Sequence, residues 1–379
     1  GFFLRKQAPE PWQWVLAFFS WGMGAAFLTA FPASERAKNI GLTAATLFLL
    51  LFAVEAWLAF DHPGPTRVEQ GDLESARAAR GDPGLIPYLA NLERNDPVLG
   101  TRPKKAALRV SSKVVQNGKL LYDVVYSSLE SGWRVTPQNP GATKAVVFFG
   151  CSFTFGQGLE DQESIPYRVA ELLGPDYQVF NFALYGYGAH QMLAQIQNGF
   201  VDDIVRRYAS VQAYFITIDG HELRCSAAAD WVKSGPLYLV KNGMVCYSGD
   251  IADRPRPKKP LLDRLSRGCL LYERFFKQPD ARLEEYRCQH VAILAESARE
   301  LRESFHIPLT VLLWPDAPYG EALLSEGVDA ISLDPALPEW SRDKERYVIK
   351  DDWHPNAFAA DQTARFIADL AARRAAGTP

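Results

Sequence analysis

Two long apolar runs near the start of the chain constrain its fold more than any other feature. No charged residue occurs in residues 11–34, and Glu55 is the only one in residues 39–60. A helix needs about 20 apolar residues to cross the hydrocarbon core of a bilayer, so we expect residues 1–60 to form a transmembrane helical hairpin in the lipid bilayer. The two predicted helices cover about residues 11–32 and 40–60. The alternative is a pair of buried helices in a soluble domain.

Two features of this hairpin favour contact with other membrane subunits. A patch of small residues allows close approach of helices; it consists of Gly22, Gly24, Ala25 and Ala26. Glu55 is an ionisable group within an apolar run, and such a group either reaches the headgroups or contacts a partner. Too few positive residues flank the hairpin to decide its orientation. We expect the protein in a membrane, specifically a bacterial inner membrane, with the globular part in the periplasm.

Residues 61–140 are expected to form a connector with a β-hairpin. The sequence DHPGP at residues 61–65 ends the second apolar run, because proline and glycine interrupt helices. Strand-like composition at residues 120–126 and 132–137 predicts the two strands of the hairpin.

From residue 144 onward, short apolar runs alternate with helical stretches, a pattern typical of an α/β domain with a mostly parallel sheet. We expect this domain at residues 141–379, with an insertion at about 230–281 that contains an Asn242-Gly243 hairpin turn. The predicted strands cover residues 145–150, 177–182, 211–218, 308–314 and 330–333. The predicted helices cover residues 164–173, 190–208, 283–305 and 356–371.

The stretch VFFGCSFTFG at residues 147–156 runs an apolar strand into a turn of small residues with Ser152 at its tip. In a parallel α/β sheet, ligands collect at the carboxyl ends of the strands, and Ser152 follows such an end. The glycine spacing matches neither a phosphate-binding loop nor a dinucleotide fingerprint. It is not a G-x-S-x-G elbow either, because Thr154 stands where the second glycine is required. Ser152 is therefore a candidate nucleophile; an ordinary turn serine is the alternative.

A serine nucleophile needs a base and a group that orients the base. Residues 351–356 read DDWHPN, just ahead of the last predicted helix. His354 is the candidate base, and Asp351, three residues earlier, is its candidate orienting carboxylate, for which Asp352 is the alternative. The alternative is that His354 only caps the start of the last predicted helix.

Three blocks of this chain resemble those of the SGNH (GDSL-like) hydrolases, in order and spacing. They are Gly150-Cys151-Ser152, then Asn181-Phe182-Ala183-Leu184-Tyr185-Gly186, then Asp351-x-x-His354. The resemblance covers about residues 144–371. It implies a three-layer α/β/α sandwich, and an esterase or acyl-transfer reaction at Ser152 with His354 as base and Asp351 as its partner.

The resemblance also implies an oxyanion hole built from the backbone N–H groups of Ser152 and Gly186 and one side-chain donor. Two residues depart from the family pattern. Cys151 replaces the aspartate that usually precedes the nucleophile. The family has a further block between the second and the last of those given above, and His221 stands at the position of its asparagine. His221 can donate a hydrogen bond to an oxyanion; a satisfied core polar group is its alternative interpretation.

Two functions of different class follow. The first is a membrane-anchored serine esterase or O-acyltransferase that acts on an ester, such as an acetylated envelope glycan. The second is a catalytically inactive accessory subunit of a membrane complex. The net charge of −3 gives no basic surplus for nucleic acid. The five cysteines form no C-x-x-C pair and no metal-binding motif is present, so we expect no metal and no cofactor.

Overall fold

The computed structural model describes residues 11–28, 34–61, 68–70, 73–116, 119–229, 231–254, 269, 272 and 281–377. The chain divides into two compact units. The larger unit comprises residues 68–256 and 282–379, and the smaller unit comprises residues 2–67 and 257–281. Residues 68–140, predicted as a separate connector, therefore belong to the same unit as the α/β domain.

The smaller unit is built around two packed helices, Pro11–Leu28 (α1) and Glu35–Asp61 (α2). Gly22 lies at their contact, where a Cβ atom would come within 3.3 Å of side-chain atoms of Phe48 and Leu49. This glycine of the predicted small-residue patch thus serves packing within the hairpin. The side chains of the other three members lie outside the described residues.

Only one of the described helices is long and apolar enough to cross a membrane, and it covers Glu35–Trp57 within α2. Of the two predicted membrane-spanning helices, only α2 therefore meets this criterion among the described residues. Helix α1 has 18 described residues and begins with Pro11, Trp12, Gln13 and Trp14, which lower its hydropathy.

Glu55 lies inside the smaller unit. Its side chain is 0% exposed, and the Cys269 thiol donates a hydrogen bond to Glu55 Oε2 at 3.6 Å. Cys269 comes from the predicted insertion and belongs to the same unit as the helical hairpin. The predicted solvated loop at residues 254–260 falls almost wholly outside the described residues.

The larger unit has a five-stranded parallel sheet at its centre, with strand order β13-β12-β9-β7-β8. All five strands were expected from the apolar runs, within one residue at each end. They are Lys144–Gly150 (β7), Tyr177–Asn181 (β8), Ser210–Thr217 (β9), Leu309–Leu313 (β12) and Asp329–Ser332 (β13). In β7, Val147 and Phe149 face one layer of the core while Val146 and Phe148 face the other, so the sheet is buried on both sides.

Helices cover both faces of this sheet, which gives the predicted three-layer α/β/α arrangement. One face packs against Ala189–Gln197 (α6), Asp202–Arg207 (α7), Leu283–Phe305 (α9) and Gly320–Ser325 (α10). The other face packs against Ile165–Leu173 (α5) and Ala357–Ala375 (α11). Two differences from the prediction are local. The helix expected at residues 190–208 is broken at Gly199, whose φ is +78°, and α10 was not predicted.

A smaller sheet lies N-terminal to the parallel one in the larger unit. Its strands are Val68–Gln70 (β1), Ile86–Pro87 (β2), Arg109–Gln116 (β5) and Lys119–Ser127 (β6), with β5 and β6 paired antiparallel. A short hairpin, Leu92–Asp96 (β3) with Gly100–Pro103 (β4), and one helix, Leu73–Arg80 (α3), accompany it. The strand predicted at residues 120–126 is present, but its partner is β5. Residues 132–137 form only isolated bridges through Arg134.

The Asn242-Gly243 turn is present as expected and joins Pro236–Lys241 (β10) to Met244–Asp250 (β11). Asn242 and Gly243 have φ values of +51° and +76°, as a two-residue hairpin turn of type I′ requires.

Arg134 links the smaller sheet to the loop that follows Ser152. Its guanidinium, 1% exposed, pairs with Asp161 Oδ1 at 3.1 Å. It also donates to three backbone carbonyl oxygens, those of Phe155 at 2.6 Å, Gly156 at 2.7 Å and Leu159 at 2.7 Å. These bonds satisfy a charge that would otherwise be costly to bury, and they hold residues 155–161 in place.

We expect Arg134→Lys to lower the free energy of unfolding by about 3–5 kcal/mol, because an ammonium cannot replace a planar guanidinium and leaves buried carbonyls unpaired. Arg299→Lys, at a half-exposed arginine with surface ion pairs only, is the matched control and should change stability by at most about 0.5 kcal/mol. Urea unfolding of the full chain in detergent, followed by tryptophan fluorescence, measures both. Equal effects of the two substitutions would contradict the structural role of Arg134.

Candidate active site

Ser152 lies at the first turn after strand β7, at the start of the short helix Ser152–Phe155 (α4). The turn depends on Gly150, which has a φ of +149°. A Cβ atom on Gly150 would come 2.2 Å from Thr154 Oγ1, so only glycine fits. Ser152 itself is 6% exposed, and the chain leaves α4 through Gly156 at a φ of +84°.

Ser152, His354 and Asp352 form a hydrogen-bonded chain. His354 Nε2 lies 2.9 Å from Ser152 Oγ, and His354 Nδ1 lies 2.8 Å from Asp352 Oδ2. The first contact joins residues 202 positions apart in sequence and the second joins residues of one turn; together they have the order of a nucleophile, a base and an orienting carboxylate. With the carboxylate accepting from Nδ1–H, Nε2 is left as the acceptor for the serine proton.

Asp351, the predicted partner of His354, points away from it. Its carboxylate pairs with Lys119 Nζ at 2.6 Å, at the end of the β5–β6 hairpin, and this hydrogen bond lowers the pKa of Asp351. The reason lies in the backbone of the turn, where Asp351 and Trp353 have φ values of +67° and +66°. These left-handed residues turn Asp352 towards His354 and Asp351 outward. The sequence alone does not show whether Asp351 or Asp352 contacts His354; the backbone geometry of the turn does.

The turn that carries His354 is fixed at both ends. Ile349 N–H donates to the His354 carbonyl oxygen at 2.7 Å, and Val348 bridges Pro355. Asn356 then caps helix α11, with its side-chain oxygen accepting from Ala359 N–H at 2.9 Å. The alternative interpretation of His354 as a helix cap is wrong, because Asn356 has that position.

Two predicted oxyanion donors lie in loops that contact each other. Leu184 N–H donates to the Gly150 carbonyl oxygen at 3.3 Å, which joins the loop of Gly186 to the turn of Ser152. Gly186 has a φ of +81°. Among the described hydrogen bonds, none uses the backbone N–H of Ser152 or Gly186, so both donors are available.

His221, the third predicted oxyanion donor, is completely buried. It opens the helix His221–Cys225 (α8) directly after strand β9, and its Nδ1 lies 3.3 Å from Thr217 Oγ1. Its Nε2 has no hydrogen-bond partner in the described part of the chain. No described contact joins His221 to Ser152 or His354, so the predicted grouping of these residues around one oxyanion is not observed directly.

Aromatic side chains border the Ser152–His354 pair. The ring of Phe153 packs edge-on against Trp314 at 5.0 Å and lies 5.6 Å from the His354 ring. Trp314 also lines an open cleft of about 380 Å³ beyond the end of β12, together with Asp316, Glu321 and other residues of 313–334. The Trp353 side chain is 64% exposed.

The described residues contain no group of His, Cys, Asp and Glu side chains suited to a metal ion. All five cysteines are free thiols. Cys151 is completely buried at the end of β7, so an apolar environment surrounds the position where the resembling family has an aspartate.

No protein-family model matches the chain, and no curated protein matches it. Among solved structures, it is similar to a member of the lipolytic protein G-D-S-L family from Veillonella parvula DSM 2008, with 10% identity over 61% of this chain and 99% of that chain and a TM-score of 0.32. It is also similar to Est24, a carbohydrate acetylesterase from Sinorhizobium meliloti, with 10% identity over 61% and 99% of the two chains and a TM-score of 0.29. A third is the M. smegmatis aryl esterase, with 9% identity over 60% and 98% and a TM-score of 0.31. These values are too low to transfer a function to this chain.

We expect Asp352→Asn to slow covalent labelling of Ser152 by a fluorophosphonate probe by roughly 10³- to 10⁴-fold, because the amide no longer fixes the His354 tautomer. Asp351→Asn is the matched control; it removes only an exposed ion pair with Lys119 and should change the rate less than about threefold. A larger effect at Asp351 than at Asp352 would contradict the geometry of the turn.

Buried histidines should make the protein sensitive to acid. Burial lowers the pKa of His190 and of His290 to about 3, whereas each titrates near 6.5 when unfolded. The unfolded chain therefore binds more protons below pH 6.5, and stability falls as the pH drops from about 6.5 towards 3. Each ring contributes a slope of up to about 1.4 kcal/mol per pH unit.

His190→Leu tests this acid sensitivity. Both ring nitrogens of His190 lack a partner among the described residues, so the substitution removes the titrating group without breaking a described hydrogen bond. The variant should unfold at a higher temperature below pH 6 and show a shallower pH dependence. His306→Asn, at an exposed position with a φ of +56° that asparagine tolerates, should keep the pH dependence of the unsubstituted protein. An unchanged slope in His190→Leu would contradict the assignment.

Proposed function

We propose that this protein is a serine esterase or O-acyltransferase of the SGNH type that works through an acyl-enzyme on Ser152. The observation that carries the proposal is the hydrogen-bonded chain Ser152 Oγ, His354 and Asp352, at 2.9 and 2.8 Å. It lies at the carboxyl edge of a parallel sheet, where such folds bind ligands.

In the proposed reaction, Ser152 Oγ attacks the ester carbonyl carbon while His354 Nε2 takes the serine proton. Asp352 stabilises the imidazolium through Nδ1–H. The tetrahedral intermediate collapses when the alcohol oxygen leaves with the proton from His354. Water or an acceptor hydroxyl then attacks the acyl-enzyme and gives its proton to His354. His354 returns that proton to Ser152 Oγ as the acyl–oxygen bond breaks, which releases the acid or the new ester and restores the free serine.

The backbone N–H groups of Ser152 and Gly186 are the proposed donors to the oxyanion, since each lacks a hydrogen-bond acceptor among the described residues. Donors already fixed in position stabilise the developing charge without reorganising during the reaction. Each is expected to contribute roughly 10²- to 10³-fold in rate.

The proposed attachment is to a membrane through the helical hairpin, with α2 as the spanning helix. The length and composition of Glu35–Trp57 support it, as do the large apolar side chains on its surface. Those more than half exposed are Ile40, Leu42, Leu47, Leu50 and Trp57. An ester-bearing substrate close to a bilayer, such as an acetylated envelope glycan, suits this arrangement, and contact with other membrane subunits through the hairpin is part of the proposal.

An inactive accessory subunit is the second candidate, because three observations favour it. Ser152 is only 6% exposed, and His221 is closed from solvent. Cys151, buried and apolar, provides no acceptor to brace the nucleophile turn.

Fluorophosphonate labelling of the full chain in detergent decides between the two candidates. We expect labelling of the unsubstituted protein, its loss in Ser152→Ala and in His354→Ala, and full labelling of Ser325→Ala, a surface serine that serves as control. Release of nitrophenol from p-nitrophenyl acetate should follow the same pattern. A folded protein that neither labels nor turns over would overturn the esterase proposal and favour the accessory subunit.

A further inference from the structure

A chain of four buried polar side chains leads from Cys225, at the end of helix α8, to His221 at its start. Cys225 Sγ lies 3.4 Å from His290 Nδ1, His290 Nε2 lies 3.0 Å from Thr217 Oγ1, and Thr217 Oγ1 lies 3.3 Å from His221 Nδ1. Cys225, His290, Thr217 and His221 are each 0% exposed. The chain therefore exchanges no hydrogen bonds with bulk water, and its protons must be arranged by the side chains themselves.

Both histidines of the chain are neutral, because burial lowers the pKa of His290 to about 3 and lowers the pKa of His221 well below its usual value. A neutral imidazole has one donor and one acceptor nitrogen, and a hydroxyl has one proton. With the Thr217 proton inside the chain, the hydrogen bonds can run in two directions. Either every proton points from Cys225 towards His221, or every proton points the other way.

Cys225 decides the direction. Burial raises the pKa of its thiol to about 12, so the sulfur stays protonated. A thiol sulfur is a weak acceptor, whereas an imidazole nitrogen is a good one, so the S–H is directed to His290 Nδ1 at 3.4 Å. His290 Nε2–H then donates to Thr217, and the Thr217 hydroxyl donates to His221 Nδ1.

This order leaves His221 Nε2–H as a donor without an acceptor, in agreement with the missing partner of that atom among the described residues. Helix α8, which His221 opens, lies at the edge of the sheet that carries Ser152. Strand β9, which precedes His221, pairs directly with β7, with Ile216 opposite Gly150. Arg224 Nη1 donates to the Tyr187 carbonyl oxygen at 2.7 Å, which holds α8 against the loop of Gly186.

We propose that Cys225, His290 and Thr217 fix His221 in its Nε2–H tautomer, so that His221 donates a hydrogen bond to the oxyanion of the substrate. The proposal rests on the esterase function proposed for Ser152. Thr217, His290 and Cys225 are positioning residues, and His221 alone touches the reacting group. An unpaired donor that is closed from water is strong, because little solvent screens it.

Nitrogen-15 spectra of the full chain labelled with ¹⁵N-histidine, in detergent, test the tautomer directly. We expect His221, assigned by its loss in His221→Gln, to be the neutral Nε2–H form from pH 5 to 8. Thr217→Val should give a mixture of tautomers, and Thr217→Ser should restore the single form because it keeps the hydroxyl. A neutral Nδ1–H form or an imidazolium in the unsubstituted protein would overturn the proposal.

Ester turnover provides the second measurement. Thr217→Val should lower kcat for p-nitrophenyl acetate by at least about tenfold, up to the roughly 10²- to 10³-fold expected for loss of one oxyanion donor, with KM little changed. Thr217→Ser should retain kcat. If Thr217→Val is unfolded by circular dichroism, the pair Cys225→Ser and Cys225→Ala replaces it, since only serine keeps a donor to His290.

The two proposals fail separately. Absence of fluorophosphonate labelling in the unsubstituted protein would overturn the proposed esterase function, whereas the tautomer of His221 could still be measured. An active enzyme whose kcat is the same in Thr217→Val and Thr217→Ser would overturn the role of the chain and leave the esterase function intact.

Discussion

The buried guanidinium of Arg134 is the interaction on which the arrangement of the site depends. A charge with 1% exposure is tolerated only when each donor has an acceptor, and here the acceptors come from the loop just after the nucleophile. The ring of Tyr126, in the smaller sheet, lies 4.5 Å from the same guanidinium. Folding of the smaller sheet and ordering of the Ser152 turn are therefore coupled through one side chain.

The sequence predicts the parallel sheet well, because strands buried on both faces are short uninterrupted apolar runs and need no knowledge of their neighbours. Ser152 and His354 follow a strand and precede a helix in recognisable spacing, so the sequence singles them out as candidates, and the structure brings them within 2.9 Å. Asp351 was chosen over Asp352 wrongly, since which of two adjacent carboxylates faces inward depends on backbone angles within one turn. The partner of β6 was missed for a related reason: pairing is a long-range choice between several strand-like segments.

Two kinds of polar chemistry meet at the carboxyl edge of the sheet. On one side, Asp352 and His354 form a partly exposed pair that can exchange protons with substrate. On the other, the chain from Cys225 to His221 is sealed from water, and its histidines remain neutral. The proposed reaction uses the first group for proton transfer and the second as a fixed donor to the oxyanion.

The membership of residues 68–140 in the larger unit changes what counts as one domain of this chain. The recognisable blocks begin only at Gly150, yet the side chain that holds the loop beside them comes from residue 134. A segment that starts at the first block would contain every residue of the Ser152–His354–Asp352 set and lack the guanidinium that orders its surroundings. Transplanting the α/β fold into another protein without the smaller sheet would therefore leave the loop after Ser152 without its central cation.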